Sequence, residues 1–404
     1  MERHLKGLFA YLKKGCMKNN KVVFISGNPF LSAYSGTLYL IQELLNRNIN
    51  VRTFVIGHSH EKNNYKSLNI NVVVLVNPFN ALKLFRKVFS FIIKLRLLIV
   101  ILMHKNVIIS EGHWLKLAHI ARTIFPKKKI IHFCQELWLT EDHSWSKQAI
   151  AFNKYSNVPN IVIDVNKERA LFRKQRFSLK KVPYVLLNTV PKESFKYAEE
   201  ENQLGLLAGC QLPKQLPILL YTGGVGLEKP FERIIDAVSQ VSTNIFFLAF
   251  LNTSDETLIQ LRSYAKERIK HIEYSFHGPV DREKLLSATH EADIGIIDYA
   301  FSNQKTTNQL YCAPTKFFEY MASGLAIVSS NNPTLASIID EGFIGAYAAD
   351  DSIKSLTDAI DKVSIDKTKL TEMKHNSRSN FLNKYCYEAA CFKTIESIIS
   401  EFNN

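Results

Sequence analysis

Short apolar runs rich in Val, Ile and Phe alternate with helical patterns twice along the 404-residue chain. Such runs predict buried β-strands, and strands that alternate with helices predict parallel βαβ units. The runs of the first series lie at 21–26, 51–57, 71–76, 106–110, 129–133 and 161–165, and those of the second at 216–224, 244–250, 271–278, 292–298 and 325–330. The sequence therefore predicts an α/β protein with two Rossmann-like, doubly wound parallel sheets.

The two series are separated by an acidic stretch around 199–202 and a proline-bounded segment at 211–217. Two sheets fit the chain length, because domains usually hold roughly 100–200 residues. We predict an N-terminal domain over 1–188 and a C-terminal domain over 189–384. The chain end has only helical patterning, and we expect a helix at about 385–404 to pack back on the first domain.

Charge is distributed unequally between the two halves of the chain. Residues 1–190 hold 30 basic and 9 acidic side chains, whereas the whole chain holds 51 and 37, so the second half is net acidic. A uniform nucleic-acid-binding surface would not have this asymmetry, and we expect no nucleic-acid partner. Two domains that face different partners are predicted instead.

Cysteine usage and hydropathy indicate the compartment. The six cysteines are scattered without metal-ligand spacing, which is typical of a reducing environment. The most apolar stretch, 81–104, is interrupted by five basic residues, and its longest uncharged part, 97–103, is far short of the ~20 residues that a spanning helix needs. The sequence therefore predicts a cytoplasmic protein without a transmembrane helix.

The loop after the first strand of the second series, YTGGVGLEKPF at 221–231, has the composition of a phosphate-binding loop. Ligands of open α/β sheets bind at the carboxyl ends of the strands. Gly223, Gly224 and Gly226 allow close approach of the backbone, and Lys229 adds a cation near the next helix. This combination suits a diphosphate; a short glycine-rich turn with a solvated lysine is the alternative.

The segment APTKFFEYMASG at 313–324 is more specific. Pro314 fits the first position of a helix, and Lys316 and Glu319 share a helix face near its N-terminus. There a cation and the helix dipole suit phosphate, and a carboxylate suits sugar hydroxyls. The turn-rich stretch 302–309 is a candidate binding loop. The alternative for the two charged residues is a surface ion pair worth a few tenths of a kcal/mol.

These segments carry a family resemblance. PTKFFEYMASGLAIVSS at 314–330, with the glycine loop and HGPVDREKLLSATHEADIGIIDY at 277–299, resembles the donor-binding half of family 4 (group 1) glycosyltransferases with the GT-B fold. NKERALF at 166–172, LLNTVP at 186–191 and SGNPFLSAYSG at 26–36 are similar to first-domain segments of that family. The resemblance implies two Rossmann-like domains facing a central cleft, the first binding an acceptor and the second a nucleotide-sugar.

The resemblance also implies a retaining sugar transfer of the hexosyltransferase type, without a bound metal or other cofactor. Lys229 and the glycine loop would contact the donor diphosphate, and Glu319 would bind the ribose as the second glutamate of the E-x7-E motif. The predicted donor-binding set consists of Gly223, Gly224, Lys229, Asn308, Pro314, Thr315, Lys316 and Glu319.

Two positions depart from the family motifs. Tyr311 stands eight residues before Glu319, where the family has its first glutamate, and Gly224 stands where many relatives have an arginine. We hypothesise that Lys316 supplies the missing positive charge, in a P-x-K-x-x-E variant of the motif. Lys229, Lys316 and Glu319 are therefore the predicted catalytic residues, because fixed cations stabilise a departing nucleoside diphosphate without reorganisation.

Candidate acceptor-side residues follow strands of the first series. SEGHW at 110–114 contains His113, and IHFCQELW at 131–138 contains Glu136, both at the carboxyl ends of predicted strands. Gly36 belongs to the glycine-containing first loop. We predict that these three residues line the acceptor cleft. A hydrogen-bonded structural histidine is the alternative for His113.

A basic helical segment over 83–94 is predicted to meet an anionic membrane surface. One face, within about 100° at 3.6 residues per turn, consists of Lys83, Arg86, Lys87, Ser90 and Lys94, and apolar side chains cover the remaining surface. Such a helix is typical of a lipid interface, and PKKK at 126–129 and RKQR at 173–176 add positive clusters. In the alternative, the apolar side packs on the sheet and the charges are solvated.

The leading interpretation is a glycosyltransferase peripheral to the inner face of the plasma membrane. Its acceptor would be a lipid-linked glycan in surface polysaccharide synthesis (capsule, O-antigen or exopolysaccharide). A nucleotide-sugar epimerase or hydrolase of the same fold is a second interpretation, and a non-catalytic sugar-binding relative, favoured by Tyr311, is a third. A dinucleotide oxidoreductase is not indicated, since no GxGxxG opens a helix with an acidic residue about twenty positions later.

Overall fold

The computed structural model describes residues 21–26, 35–57, 70–76, 83–110, 112–137, 147–195, 202–226, 231–299 and 310–403. The chain divides into two compact units, one of Met1–Asn188 with Cys391–Asn404 and one of Thr189–Ala390. Each unit is built around one parallel sheet. The predicted pair of doubly wound α/β sheets is confirmed.

The first unit has a seven-stranded sheet in the order β3-β2-β1-β4-β5-β6-β7. The strands are β1 (Lys21–Ser26), β2 (Asn50–Gly57), β3 (Asn71–Val76), β4 (Asn106–Ile109), β5 (Lys129–Cys134), β6 (Ile161–Asp164) and β7 (Tyr184–Val185). The helices are α1 (Ser35–Asn46), α2 (Lys83–Met103), α3 (Leu115–Ile124), α4 (Lys147–Tyr155) and α5 (Lys167–Arg176), with a 3₁₀ turn at Gly112–Trp114. The order reverses between β1 and β4, as in a Rossmann sheet.

The second unit has a six-stranded sheet in the order β10-β9-β8-β11-β12-β13. The strands are β8 (Ile218–Gly224), β9 (Phe246–Asn252), β10 (Glu273–His277), β11 (Ile294–Ile297), β12 (Ala326–Ser329) and β13 (Gly345–Tyr347). The helices are α6 (Gln203–Ala208), α7 (Phe231–Val238), α8 (Asp255–Arg268), α9 (Arg282–Ala288), α10 (Thr315–Ala322), α11 (Pro333–Gly342), α12 (Ile353–Ser364) and α13 (Lys367–Asn380). Short turns of helix lie at Lys192–Ser194, Thr289–Glu291 and Phe381–Tyr385.

Every strand predicted from an apolar run is present, with ends that differ by at most two residues. The central strands β4, β11 and β12 are buried along their whole length, as expected for strands covered on both faces. β7 and β13 were not predicted, because two and three residues are too few to form a recognisable run.

The last helix, α14 (Tyr387–Asn403), begins in the second unit and continues into the first. Its later residues bind the first unit through side chains. Glu401 accepts hydrogen bonds from Lys129 Nζ at 2.9 Å and from Asn160 Nδ2 at 3.0 Å. Glu396 forms an ion pair with Arg47 on α1. These polar contacts fix the end of the chain on the first unit.

α2 buries one narrow stripe and exposes another. Ile93, Leu97 and Ile101, spaced four residues apart, are buried in the core of the first unit. Ile93 therefore belongs to the sheet-facing side, as the alternative interpretation of this helix expected. Other apolar residues of the helix, among them Phe91 and Leu95, are exposed. The side chains of 83–87, with three of the predicted basic residues, lie outside the described ones.

Two of the positive clusters predicted from the sequence are partly internal. Lys128 of the 126–129 run is buried, and its ammonium donates hydrogen bonds to the carbonyls of Ile101 at 2.6 Å, Leu102 at 2.9 Å and His104 at 2.6 Å. These carbonyls lie in the last turn of α2 or directly after it, where a helix leaves carbonyl groups that other donors can bind. Lys128 is thus a helix cap and not a surface charge.

Arg173, in the 173–176 run, is also buried. Its Nε donates a hydrogen bond to Asp164 Oδ2 at 2.6 Å, and Arg169 approaches the other carboxylate oxygen at 3.0 Å. Asp164 is fully buried at the end of β6. The prediction of a surface cluster at this run is wrong for Arg173, because this guanidinium balances an internal carboxylate.

None of the helices in the described part of the chain combines the length and apolarity needed to cross a bilayer.

Candidate active site

A pocket of about 430 Å³ lies at the carboxyl edge of the second sheet. Its lining comes from the ends of β8 and β9, the start of α9, the segment after β11 and the helix α10. Strand order reverses between β8 and β11, and parallel α/β sheets bind ligands at such a reversal. The volume is in the range of about 300–1,000 Å³ that is usual for small-molecule sites.

Backbone groups at the end of β8 form one wall of the pocket. Gly223 has a φ of +133°, a conformation that favours glycine over other residues. The Tyr221 hydroxyl donates a hydrogen bond to the Gly224 carbonyl at 2.8 Å, and the Thr222 amide donates one to the Tyr320 hydroxyl at 2.8 Å. Two buried tyrosines therefore fix the course of the glycine segment.

Lys316 projects from the first turn of α10 toward this wall. Its Nζ lies 4.2 Å from the Tyr221 ring centroid and 5.9 Å from that of Tyr299, and it donates a hydrogen bond to the Thr222 carbonyl at 3.4 Å. Aromatic faces attract an ammonium at such distances. A β-carbon at Gly223 would be 3.6 Å from the Lys316 ammonium, so the lysine lies directly against the glycine segment.

Pro314 is the N-cap of α10, and the helix starts at Thr315. The predicted placement of Pro314 at the first helical position is therefore wrong by one residue. Pro314 has an extended backbone, with φ −72° and ψ 146°, and it lines the pocket directly before the helix begins. Gly324, with a φ of +74°, follows the end of the helix as expected.

Glu319 lies one turn further along α10 and is buried. It forms an ion pair with Arg282, the first residue of α9. Burial raises the pKa of Glu319, whereas the positive charges of Arg282 and Lys316 act in the opposite direction. The two cations therefore partly offset the effect of burial on the carboxyl group.

A second carboxyl group, that of Asp298, lies just after β11. It is 2% exposed, and Arg233 of α7 donates its Nε hydrogen to Asp298 Oδ2 at 2.8 Å. Burial raises the pKa of Asp298, and the charges of Arg233 and Lys316 oppose this effect. Lys316 thus interacts electrostatically with two buried carboxyl groups, Asp298 and Glu319.

The structure brings together five of the predicted donor-binding residues. Lining the pocket are Gly223, Gly224, Pro314, Lys316 and Glu319. Thr315 begins α10 beside them, and Tyr311 is half-buried four residues earlier. Lys229 and Asn308 lie outside the described residues. Among the described residues, no group of three or more His, Cys, Asp or Glu could hold a metal ion.

The acceptor-side candidates lie in α1 and in the segments that follow β4 and β5 of the first unit. Gly36 is buried in the first turn of α1, and its amide donates a hydrogen bond to Asn188 Oδ1 at 3.3 Å. Gln135 donates a hydrogen bond to Thr37, which ties the end of β5 to α1. Glu136 is half-buried next to Gln135. His113 belongs to the 3₁₀ turn after β4, and its side chain lies outside the described ones.

The sequence analysis did not single out Tyr320 and Arg282, which line the pocket, or Tyr221, which contacts the glycine segment and Lys316 beside it. Tyr221 and Tyr320 were seen only as apolar members of a strand and a helix, although each contributes a hydroxyl. Arg282 lies within the 277–299 segment, but its pairing with Glu319 joins residues 37 positions apart. A tyrosine at the last buried position of a strand before a glycine run is a signal that could have drawn attention to Tyr221.

Part of the second unit matches a known protein family. Residues 209–380 match the family Glycosyl transferases group 1. This range contains the whole described lining of the pocket. The protein is therefore a glycosyltransferase, and the matched segment is its group 1 domain. The resemblance predicted for the second half is confirmed at this level, and assignment to family 4 stays a prediction.

Solved structures show the same fold at low sequence identity. HepE (Alr3699) of Anabaena in complex with UDP is 12% identical, with a TM-score of 0.72 over 94% of this chain and 100% of that chain. Sucrose-phosphate synthase of Thermosynechococcus elongatus is 16% identical, with a TM-score of 0.70 over 95% and 99%. The trehalose-phosphate synthase of Burkholderia vietnamiensis is 10% identical, with a TM-score of 0.66 over 94% and 100%. The predicted GT-B class is confirmed as a fold.

No significant match was found among curated protein sequences.

Proposed function

We propose that the protein is a retaining, family 4 glycosyltransferase that moves a sugar from a nucleotide-sugar donor to a glycan acceptor. The observation that carries this proposal is the pocket in which Lys316, Glu319 and the two glycines at the end of β8 line one cavity. A cation beside a glycine backbone that a ligand can approach closely suits a diphosphate, and a buried carboxylate suits ribose hydroxyls. HepE, solved with UDP and with UDP-glucose, has a similar fold and supports a donor of this class.

Lys316 is proposed to stabilise the leaving group. Departure of a nucleoside diphosphate develops negative charge, and a cation that is already in place stabilises that charge without reorganisation. The contacts of Lys316 Nζ with the Tyr221 ring and the Thr222 carbonyl hold the ammonium on the glycine side of the pocket. Loss of one such group typically costs about 3 kcal/mol of transition-state stabilisation. Lys229 is proposed as a second cation from the sequence alone.

Metal independence is part of the proposal, because lysine and the positive end of the α10 dipole would supply the charge that a metal supplies elsewhere. We expect transfer to continue unchanged in excess EDTA. Loss of activity in EDTA, restored by a divalent cation, would overturn this part.

Retention is tested on the purified product. The anomeric coupling measured by NMR should show that the transferred sugar has the same anomeric configuration as in the donor, and the opposite anomer would contradict retention.

A screen against nucleotide-sugars tests the donor. We expect one of the UDP-, GDP-, ADP- or CMP-sugars to raise the thermal unfolding midpoint of the protein, since a ligand that binds only the folded state stabilises it. Lys316→Ala should reduce this shift strongly. The matched control is Lys354→Ala, an exposed lysine of α12 that lies outside the pocket. If no nucleotide-sugar stabilises the wild type, the proposed function is wrong.

The acceptor is proposed to be a lipid-linked glycan for surface polysaccharide, bound by the first unit near Gly36, His113 and Glu136. The protein would then be peripheral to the cytoplasmic face of the plasma membrane. The outward side of α2 supports this. Val88, Phe91, Ile92, Leu95 and Ile99 are exposed and lie within about 100° at 3.6 residues per turn. Exposed Lys94 and Arg96 flank this stripe, an arrangement suited to anionic lipid.

Co-sedimentation with vesicles tests the membrane part. We expect binding to phosphatidylglycerol-containing vesicles to exceed binding to pure phosphatidylcholine, and to fall with added salt. The double variant Phe91→Ser and Leu95→Ser should lower the bound fraction. Leu206→Ser, which changes a leucine that is 66% exposed in the second unit, is the control and should bind as the wild type does. Equal binding of all three proteins would contradict membrane contact through α2.

A further inference from the structure

Arg282, the first residue of α9, lines the proposed donor pocket. It lines the same cavity as Lys316 and Glu319, and its Nη2 donates a hydrogen bond to Glu319 Oε1. The Arg282 side chain is 62% exposed, whereas that of Glu319 is 11% exposed. The guanidinium therefore approaches the buried carboxylate from the open side of the pocket.

The helix that carries Arg282 does not explain its presence. A cation in the first turn of a helix lies at the positive end of the helix dipole, which is unfavourable by a few tenths of a kcal/mol or more. Asp281 already caps α9 by accepting a hydrogen bond from the Lys284 amide at 2.9 Å. The role of Arg282 must therefore come from its tertiary partner, Glu319.

Only one carboxylate oxygen of Glu319 is used in this contact. Oε1 receives the Arg282 bond, and none of the described residues donates a hydrogen bond to Oε2. Lys316 does not take the place of Arg282, since its ammonium is held near Tyr221 and the Thr222 carbonyl. A charged arginine keeps a partner carboxylate ionised and fixes its plane.

We propose that Arg282 is a positioning residue: it holds Glu319 through Oε1 so that Oε2 faces the ribose hydroxyls of a bound nucleoside diphosphate. This inference rests on the proposed function. It adds that recognition of the ribose depends on a residue of another helix, which the E-x7-E motif does not contain.

Binding of nucleoside diphosphates with and without ribose hydroxyls tests the proposal. UDP, GDP, ADP and CDP are titrated calorimetrically into the wild type, and the one that binds is compared with its 2′,3′-dideoxy form. We expect Arg282→Met to weaken the ribonucleotide about tenfold, as for loss of a charged hydrogen bond, and to leave the dideoxy form nearly unchanged. Arg282→Lys should recover part of the loss, and Glu319→Gln should remove the preference for ribose.

Lys284→Met is the matched control, since Lys284 is an exposed cation of the same helix outside the pocket. It should bind both nucleotides as the wild type does. If Arg282→Met weakens both nucleotides equally, or neither, the positioning role is wrong. The same holds if the wild type binds tightly but does not distinguish ribose from dideoxyribose. If the wild type binds no nucleoside diphosphate at all, the proposed function fails, and this inference with it.

Discussion

Tyr221 lies beside the pocket and contacts both the glycine segment and the Lys316 ammonium. Its hydroxyl donates to the Gly224 carbonyl at 2.8 Å, and its ring lies 4.2 Å from Lys316 Nζ. Burial raises the pKa of Tyr221, so the hydroxyl stays protonated and remains a donor at neutral pH. One side chain thus controls both the shape of the glycine segment and the position of the ammonium.

Two substitutions separate these roles of Tyr221. Tyr221→Phe keeps the ring but leaves the Gly224 carbonyl without its donor, and we expect a loss of nucleotide affinity of a few-fold. Tyr221→Leu also removes the aromatic face under Lys316, and affinity should fall further. Calorimetric titration of the same nucleoside diphosphate gives the order. Tyr264→Phe, which removes a hydroxyl outside the pocket, is the control. Unchanged affinity in Tyr221→Phe would show that the hydroxyl does not fix the glycine segment.

His132 makes the first unit sensitive to acid. Burial, with the charge of Arg173, lowers the pKa of His132 to about 3. In the unfolded chain a histidine titrates near its ordinary pKa of about 6.5, so below that pH the unfolded state binds a proton that the folded state does not. The free energy of unfolding should therefore fall as the pH decreases from about 6.5, by up to about 1.4 kcal/mol per pH unit.

The variant His132→Gln tests this linkage. It should show a shallower decline of the urea unfolding midpoint between pH 7 and pH 4.5 than the wild type, because one linked proton is gone. Substitution of an exposed histidine, His375→Gln, should leave the decline as it is in the wild type. Equal slopes in His132→Gln and the wild type would mean that His132 takes up its proton in the folded state.

At the scale of elements, the described strands of four or more residues could be predicted from the sequence because each is a run of apolar residues bounded by turn-forming ones. α10 was predicted, with an error of one residue at Pro314, from its proline, its periodicity and the glycine after it. The pairing of Arg282 with Glu319 could not be predicted, since it depends on how α9 and α10 meet across the sheet edge. Local patterns specify elements, whereas contacts between distant residues come from the fold.

The burial of Lys128 shows the same limit in a structural role. A run of three lysines at 127–129 is typical of a solvated surface, yet the middle one closes the end of α2. The carbonyls that it binds are identifiable only once β5 has been placed beside the helix. Charge counts therefore overestimated the surface charge of the first unit.

Lys128→Met should destabilise the first unit. The substitution keeps the apolar stem but leaves the terminal carbonyls of α2 without their charged donor, and we expect a loss of about 1.5–3 kcal/mol in the free energy of unfolding. Chemical denaturation measures this loss, and Lys127→Met, an exposed neighbour, is the control. Equal stability of the two variants would contradict the capping role.

At the scale of the whole molecule, the net charge of +14 is the sum of two different halves. The second unit contains the whole described lining of the pocket, although it is the more acidic. The proposed binding of an anionic nucleotide would therefore depend on a few placed cations, with Lys316 foremost, and not on the overall charge of the unit. We infer that mutation of distant lysines in this unit will have little effect on nucleotide affinity.

The central claim is tested most directly by a calorimetric titration with the nucleoside diphosphate that the wild type binds. The proteins compared are the wild type, Lys316→Ala and Lys354→Ala. Loss of a desolvated charge contact with phosphate should weaken binding by Lys316→Ala at least tenfold. Lys354, which is 73% exposed and paired with Asp358, should be replaceable without loss. Wild-type affinity in Lys316→Ala, or an equal loss in both variants, would contradict the claim that Lys316 holds the donor diphosphate.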